Sequence, residues 1–143
     1  YTIDASRISV MRVMAEQADD ILGKTLSEEV TSYGAGLKGE EPYLYVTSLK
    51  TREVKVPGQF QEIKCRETIL IMKTKTVILT QQIEPNSKVR YLRSLVIIEG
   101  VGEQTQVSIQ TEAIIRGQLK IFVDAIIGAK QEKLEEIIRL HLE

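Results

Sequence analysis

A chain of 143 residues, 43% hydrophobic and 27% charged, has the make-up of an ordinary globular protein and the length for one hydrophobic core. No apolar run approaches the roughly 20 residues that a membrane-spanning helix needs, and the single Cys65 excludes an internal disulfide, which suits a reducing compartment. The net charge of −1 hides an uneven spread: residues 50–93 hold ten basic against four acidic side chains, while both flanks are acidic, so the middle suits either anionic partners or solvated strand faces with Lys and Arg as edge protection.

In chain order, Tyr1–Asp4 reads as the end of a strand. From Arg7 to Leu22, the residues Met11, Met14, Ala15, Ala18, Ile21 and Leu22 recur at helical spacing, with Asp4 or Ser6 as cap and Gly23 as stop. Val10 and Val13 leave a strand reading open. Thr25-Leu26-Ser27-Glu28 fits a capping box and predicts a short second helix.

Gly34-Ala35-Gly36-Leu37-Lys38-Gly39 then matches the dinucleotide pattern G-x-G-x-x-G. That fingerprint needs a strand before it and a helix N-terminus after it, whose free N–H groups hold a pyrophosphate. Here a helix is expected before it, and Glu40-Glu41-Pro42 with a strand follows. Two carboxylates stand where phosphate would sit. The match is read as a coincidence of spacing, the glycines as a flexible loop into a sheet, and neither ATP nor NAD is expected to bind.

The middle is β-rich. Tyr43–Leu49 alternates Tyr43, Tyr45 and Thr47 with Leu44, Val46 and Ser48, and Val54–Val56 is a short piece ended by Pro57-Gly58. Glu62–Met72, Thr74–Ile83, Val89–Glu99 and Gln104–Ile115 follow, with turns at Pro85-Asn86 and Gly100-Val101-Gly102; such short connections make antiparallel hairpins. In the last strand Val107, Ile109, Thr111, Ala113 and Ile115 share one face. Beyond Gly117 the period changes from two to 3.6. From Gln118 to about His141, the residues Leu119, Phe122, Val123, Ile126, Ile127, Leu134, Ile137 and Ile138 form one helical stripe. Gly128 interrupts it, at a cost of about 1 kcal/mol against alanine.

Chemistry-bearing constellations are sparse. The one histidine, His141, lies at the end of the chain, so no His-based triad or metal cluster is expected, and no cofactor. No carboxylate pair is identifiable by spacing. Cys65 sits in a β-prone run, where a buried, inert thiol is the expectation. With no tryptophan and two phenylalanines, the basic middle lacks the aromatic platforms of single-stranded nucleic-acid binders, so no nucleic acid is expected as a partner. The chain is read as a single domain over residues 1–143 and as non-enzymatic. It opens without a methionine, as an excised domain would, and the closing Leu142-Glu143 is open to reading as a cloning scar.

The order of elements is a helical pair, antiparallel strands, then one long amphipathic helix. The run "KTVILTQQIEPNSKVRYLRSLVIIEGVGEQTQVSIQTEAIIRGQLKIFVDAIIGAKQEKLEEIIRLH" resembles the C-terminal part of START-like, or helix-grip, domains, in the style of the VASt and PRELI lipid-transfer branches. The resemblance spans roughly Pro42–His141. It implies an α+β fold in which a curved antiparallel sheet packs on a long C-terminal helix, with a short N-terminal helical pair. It further implies a cavity between sheet and helix for a lipid or other apolar small molecule, since a ligand offsets the cost of empty apolar space. The wall residues expected on this basis are Tyr43, Tyr45, Ile69, Ile71, Val77, Leu79, Tyr91, Ile109, Ala113, Phe122 and Ile126. Phe60, on the Pro57-Gly58 turn, would dip into an anionic membrane with Lys50, Arg52, Lys55 and Lys64 meeting headgroups, so the location expected is cytoplasmic and peripheral at a membrane. Two alternatives stay open: an interaction or oligomerisation module with a fully packed core, and a cyclase-type enzyme of the same fold. A cavity separates the first two readings, and a polar acid/base pair inside it favours the third.

Overall fold

In a computed structural model, which describes residues 1–56 and 58–143 with the side chains of residues 18 and 20–22 left aside, seven strands and two helices follow one another. They are β1 (Thr2–Ile3), α1 (Arg7–Leu22), β2 (Lys24–Lys38), β3 (Glu41–Val56), β4 (Gln59–Met72), β5 (Lys75–Gln82), β6 (Val89–Val101), β7 (Gln104–Ile115) and α2 (Lys120–Leu142). The strands form one antiparallel sheet in the order β1-β7-β6-β5-β4-β3-β2. Pro57, expected to end a strand, and the side chains of Ala18, Ile21 and Leu22, expected on the first helical stripe, lie outside the described residues.

α1 starts where the sequence places it. The Ser6 hydroxyl accepts from the Ser9 backbone N–H at 3.3 Å, satisfying a free donor of the first turn. Arg7 fastens the helix to the turn after β4, donating to the Met72 carbonyl at 2.7 Å and the Lys73 carbonyl at 2.9 Å. The second helix expected at Thr25-Leu26-Ser27-Glu28 is absent: these residues open β2, and the expected helical pair is a single helix. The reason lies at Gly23, whose φ of 109° and ψ of 151° throw the chain directly into extended conformation. A Cβ there would stand 2.5 Å from the Glu53 carbonyl oxygen, so only glycine lets α1 turn against β3. β2 then pairs with β3 along its whole length, and those ladder bonds outweigh a local cap.

The glycine run forms no flexible loop, and only Gly39, at φ 65°, stands in the turn from β2 to β3. Gly34 and Gly36 lie inside β2, directly opposite Tyr45 and Tyr43. A Cβ on Gly36 would meet the Tyr43 hydroxyl at 2.6 Å, and one on Gly34 would meet Tyr45 at 3.1 Å. The tyrosine rings lie across the bare glycine backbone, covering it as aromatic neighbours commonly cover strand glycines. Tyr43–Leu49 and Val54–Val56, read as separate pieces, are one strand, β3.

α2 crosses the concave face of the sheet. Two apolar clusters join them at opposite ends. Near the start of the chain, Ile3, Val10, Val13, Ile98, Val107, Leu134 and Ile138 pack together. At the far end Val56, Ile63, Cys65, Val89, Ile115 and Val123 do the same. Gly117, at φ 80°, makes the corner between β7 and α2. Sheet and helix touch at both ends and stand apart between them.

Candidate functional site

The space between the two clusters is a cavity of about 590 Å³, bounded by the concave sheet, α2 and the middle of α1. Strand pairing decides what faces it. Val46, Ile69, Ile78, Val96 and Ile109 stand opposite one another across five strands and make an apolar rung. Ser48, Glu67, Thr80, Ser94 and Thr111 make the next rung, and every one of them is polar. From the other side α2 contributes Val123, Ile126, Ile127 and Leu134. Gln131 of α2 reaches the polar rung, its Nε2 donating to Thr111 Oγ1 at 3.3 Å, and Thr111 is 3.2 Å from Ser94 Oγ.

The β3 end of this rung is charged. Lys50 Nζ lies 2.8 Å from Glu67 Oε1, and Arg52 lies 3.6 Å from Glu67 Oε2. All three side chains are nearly enclosed, at 13%, 9% and 11% exposure for Lys50, Arg52 and Glu67. Arg52 also donates to the Gly23 carbonyl at 3.3 Å. Lys50 also lies 3.7 Å from the half-exposed Glu28 and Arg52 3.9 Å from Asp19, so Glu67 is the one enclosed carboxylate of the cluster, and the donors of the two cations leave hydrogen-bonding capacity for the cavity. Next to them Cys65 is buried, and burial pushes its thiol above the ordinary range while Arg52 partly offsets the effect. Among the described residues, no group of three His, Cys, Asp or Glu side chains is placed to hold a metal ion.

Of the wall residues expected from sequence, Ile69, Ile109, Ala113 and Ile126 line the cavity. Ile71 has the same parity but sits one rung beyond it, between Leu44 and Thr76. Tyr43, Tyr45, Val77 and Leu79 alternate with the lining residues and so turn to the convex face. Tyr91 alternates with the lining Leu92 and turns outward as well, while the register shift between Val89 and Tyr91 returns Val89 to the inner face. Phe122 is 57% exposed; its neighbour Val123 takes the buried position. Lys50 and Arg52, expected at a membrane, are inside the cavity and paired there, because β3 runs unbroken and its even-numbered residues face inward. Phe60 is exposed, as is Lys55, and the exposed Lys64 pairs with Glu84 at 3.4 Å. Leu119, Ile121 and Phe122 are also exposed, at the start of α2.

The sequence reading missed Glu67, Thr80, Ser94 and Gln131. One signal was present: Thr111 is the polar member of an otherwise apolar strand face. The same question asked of β6 finds Ser94, between Leu92 and Val96; β5 gives no such signal, because Thr76 and Gln82 share a face with Thr80.

A curved antiparallel sheet gripping a long C-terminal helix, with a cavity between them, is the helix-grip fold. A solved structure, the Zhui aromatase/cyclase from a Streptomyces species, shares it: the TM-score is 0.60 over 96% of this chain and 87% of that one, at 17% sequence identity. No family model matches the chain, and no curated protein matches it in sequence. No described helix is long and apolar enough to cross a membrane.

Proposed function

We propose that the protein binds an apolar small molecule bearing oxygen-containing groups, seated between the sheet and α2. The observation that carries this reading is a polar rung, with charged side chains gathered at its β3 end, crossing the mainly apolar walls of a cavity of about 590 Å³. The rung fixes orientation and the walls supply affinity, as in small-molecule sites generally. At roughly 0.8 kcal/mol per buried methylene, about ten such groups contribute about 8 kcal/mol, the scale of a micromolar Kd before ordering costs. At about 30 Å³ per water-sized group the cavity takes about 20 of them. That suits a ring system or one acyl chain, and it is too small for both chains of a diacyl lipid. Ligand binding is therefore favoured here over intermembrane transfer of such lipids, and a fully packed interaction module fits this interior poorly. Mass spectrometry of organic extracts of the purified protein tests the reading, alongside titration with the neutral dye N-phenyl-naphthylamine. Wild type should bind the dye, and Ala113→Trp, which puts an indole into the lining at the Leu92–Ala113 position, should bind it more weakly. An empty extract together with no dye binding by wild type would sink the proposal.

A second reading, a cyclase-type enzyme, is favoured by the Lys50–Glu67–Arg52 cluster inside the cavity. The neighbour of the same fold bears the name aromatase/cyclase, which weighs against a purely non-catalytic protein. In this reading the Lys50 ammonium polarises a ligand carbonyl and Glu67 positions that ammonium. Incubating the extracted ligand with wild type and with Lys50→Met decides it: a mass or absorbance change made by wild type alone supports catalysis, and an unaltered ligand in both supports binding only.

A further inference from the structure

A second pocket of about 330 Å³ lies at the corner between α1 and β2, lined by four lysines, Lys24, Lys55, Lys130 and Lys133, against two carboxylates, Asp19 and Glu53; Asp19, Lys55 and Lys130 line the cavity too, so this pocket adjoins it as a mouth would. Asp19 is already engaged, accepting from Thr25 Oγ1 at 3.0 Å and lying 3.9 Å from Arg52. Lys55 and Lys130 border both the mouth and the interior; Lys55 is exposed, whereas Lys130, on α2, is half-buried. Burial lowers its pKa below the ordinary lysine value, with nothing to offset it. A half-buried ammonium with no carboxylate on it among the described residues is costly, and a ligand anion would remove that cost.

We infer that the ligand is an amphiphile with a single anionic group, a carboxylate or sulfonate, held by Lys130 at the mouth while its apolar body lies across the polar rung. This rests on the cavity being a ligand site and adds the ligand's charge and orientation. The group is carried by a free small molecule rather than by a lipid headgroup, because the cavity is too small for two acyl chains. Charge-assisted hydrogen bonds from Lys130 act in a partly dehydrated mouth, and Lys55 and Lys24 add a favourable field without needing direct contact.

Two dyes with a common aromatic body test this, neutral N-phenyl-naphthylamine and its sulfonated counterpart, anilinonaphthalene sulfonate. Wild type should bind the sulfonate more tightly than the neutral dye. Lys130→Met should weaken the sulfonate about tenfold, the worth of one charged hydrogen bond, and leave the neutral dye unchanged. Lys130→Arg, which keeps the charge, should retain most of the sulfonate affinity. Decanoate should displace the sulfonate. Binding of both dyes without preference, or equal loss of both in Lys130→Met, overturns the anion site and leaves the cavity reading standing. Failure of both dyes to bind wild type overturns the two together. Displacement by phosphatidylglycerol vesicles but not by decanoate would place the anion on a lipid headgroup and overturn the assignment of a free ligand.

Discussion

Replacing Glu67 by glutamine removes the one negative charge that Lys50 and Arg52 share inside the cavity. The shape of the side chain is kept, so the change is electrostatic. Removing one partner of a fully buried ion pair costs about 3–5 kcal/mol. Here the side chains are 9–13% exposed and face a cavity that water can enter, so the cost falls at or just below the bottom of that range, about 2–3 kcal/mol. At about 4 °C per kcal/mol for a chain of this length, thermal unfolding should fall by about 10 °C. Differential scanning calorimetry gives the midpoint, and urea denaturation gives the free energy independently. A second arm fixes the cause. In the triple variant Lys50→Met, Arg52→Met, Glu67→Leu the enclosed charges are all gone and only the half-exposed Glu28 and Asp19 lose a partner, so a large part of the loss should return. Recovery should stay incomplete because Arg52 also holds the Gly23 carbonyl. A Glu67→Gln midpoint within 1 °C of wild type would mean, at the same about 4 °C per kcal/mol, that water already neutralises the cluster and that the interior is effectively solvent. A triple variant less stable than the single one would refute the charge-balance account.

Gly128→Ala should stabilise by about 1 kcal/mol in urea titration, since a Cβ there meets nothing within 4 Å; a loss would mean that the glycine has a role in the helix beyond sterics. Lys130 binds its proton less tightly folded than unfolded, so its contribution makes stability rise with pH up to the ordinary value of 10.5. Cys65, raised by burial, and Tyr1, raised to about 12 chiefly by burial, act with the opposite sign above their ordinary values of 9.0 and 10.0. The difference between wild type and Lys130→Met isolates the lysine: the variant should be the more stable at pH 7, with the gap closing towards pH 10.5. Cys65 should alkylate slowly with iodoacetamide at pH 8, slower still with a cavity ligand bound, and rapid labelling would show that the far cluster opens. Vesicle flotation should be unaffected by Lys50→Gln, whose ammonium is already paired inside, whereas any binding that exists should fall in Phe60→Ala and Ile121→Ser.

The order and type of most elements are legible along the chain. The switch from period two to period 3.6 at Gly117 is chemical information carried along the chain, and it places β7 and α2 to within about two residues. Ser6 and Gly23 likewise mark the ends of α1 through caps that act locally. The helix expected after Gly23 was lost to the opposite circumstance. Its capping box is a local signal, but β2 exists because β3 lies beside it, and that partner is a matter of pairing at a distance. Which face of each strand looks inward is set by the pairing and curvature of the folded sheet. In β3 and β5 both faces are rich in apolar or aromatic side chains, so Tyr43, Tyr45, Val77 and Leu79 are as plausible inside as Val46 and Ile78, and one residue of register exchanges the two sets. The polar rung follows from the same cause. Ser48, Glu67, Thr80, Ser94 and Thr111 come from five strands and are unremarkable singly; antiparallel register sets them in one line. Lys50 and Arg52 look like surface charge in a basic segment, and they become interior groups because the sheet curves around α2 and encloses the face on which they stand.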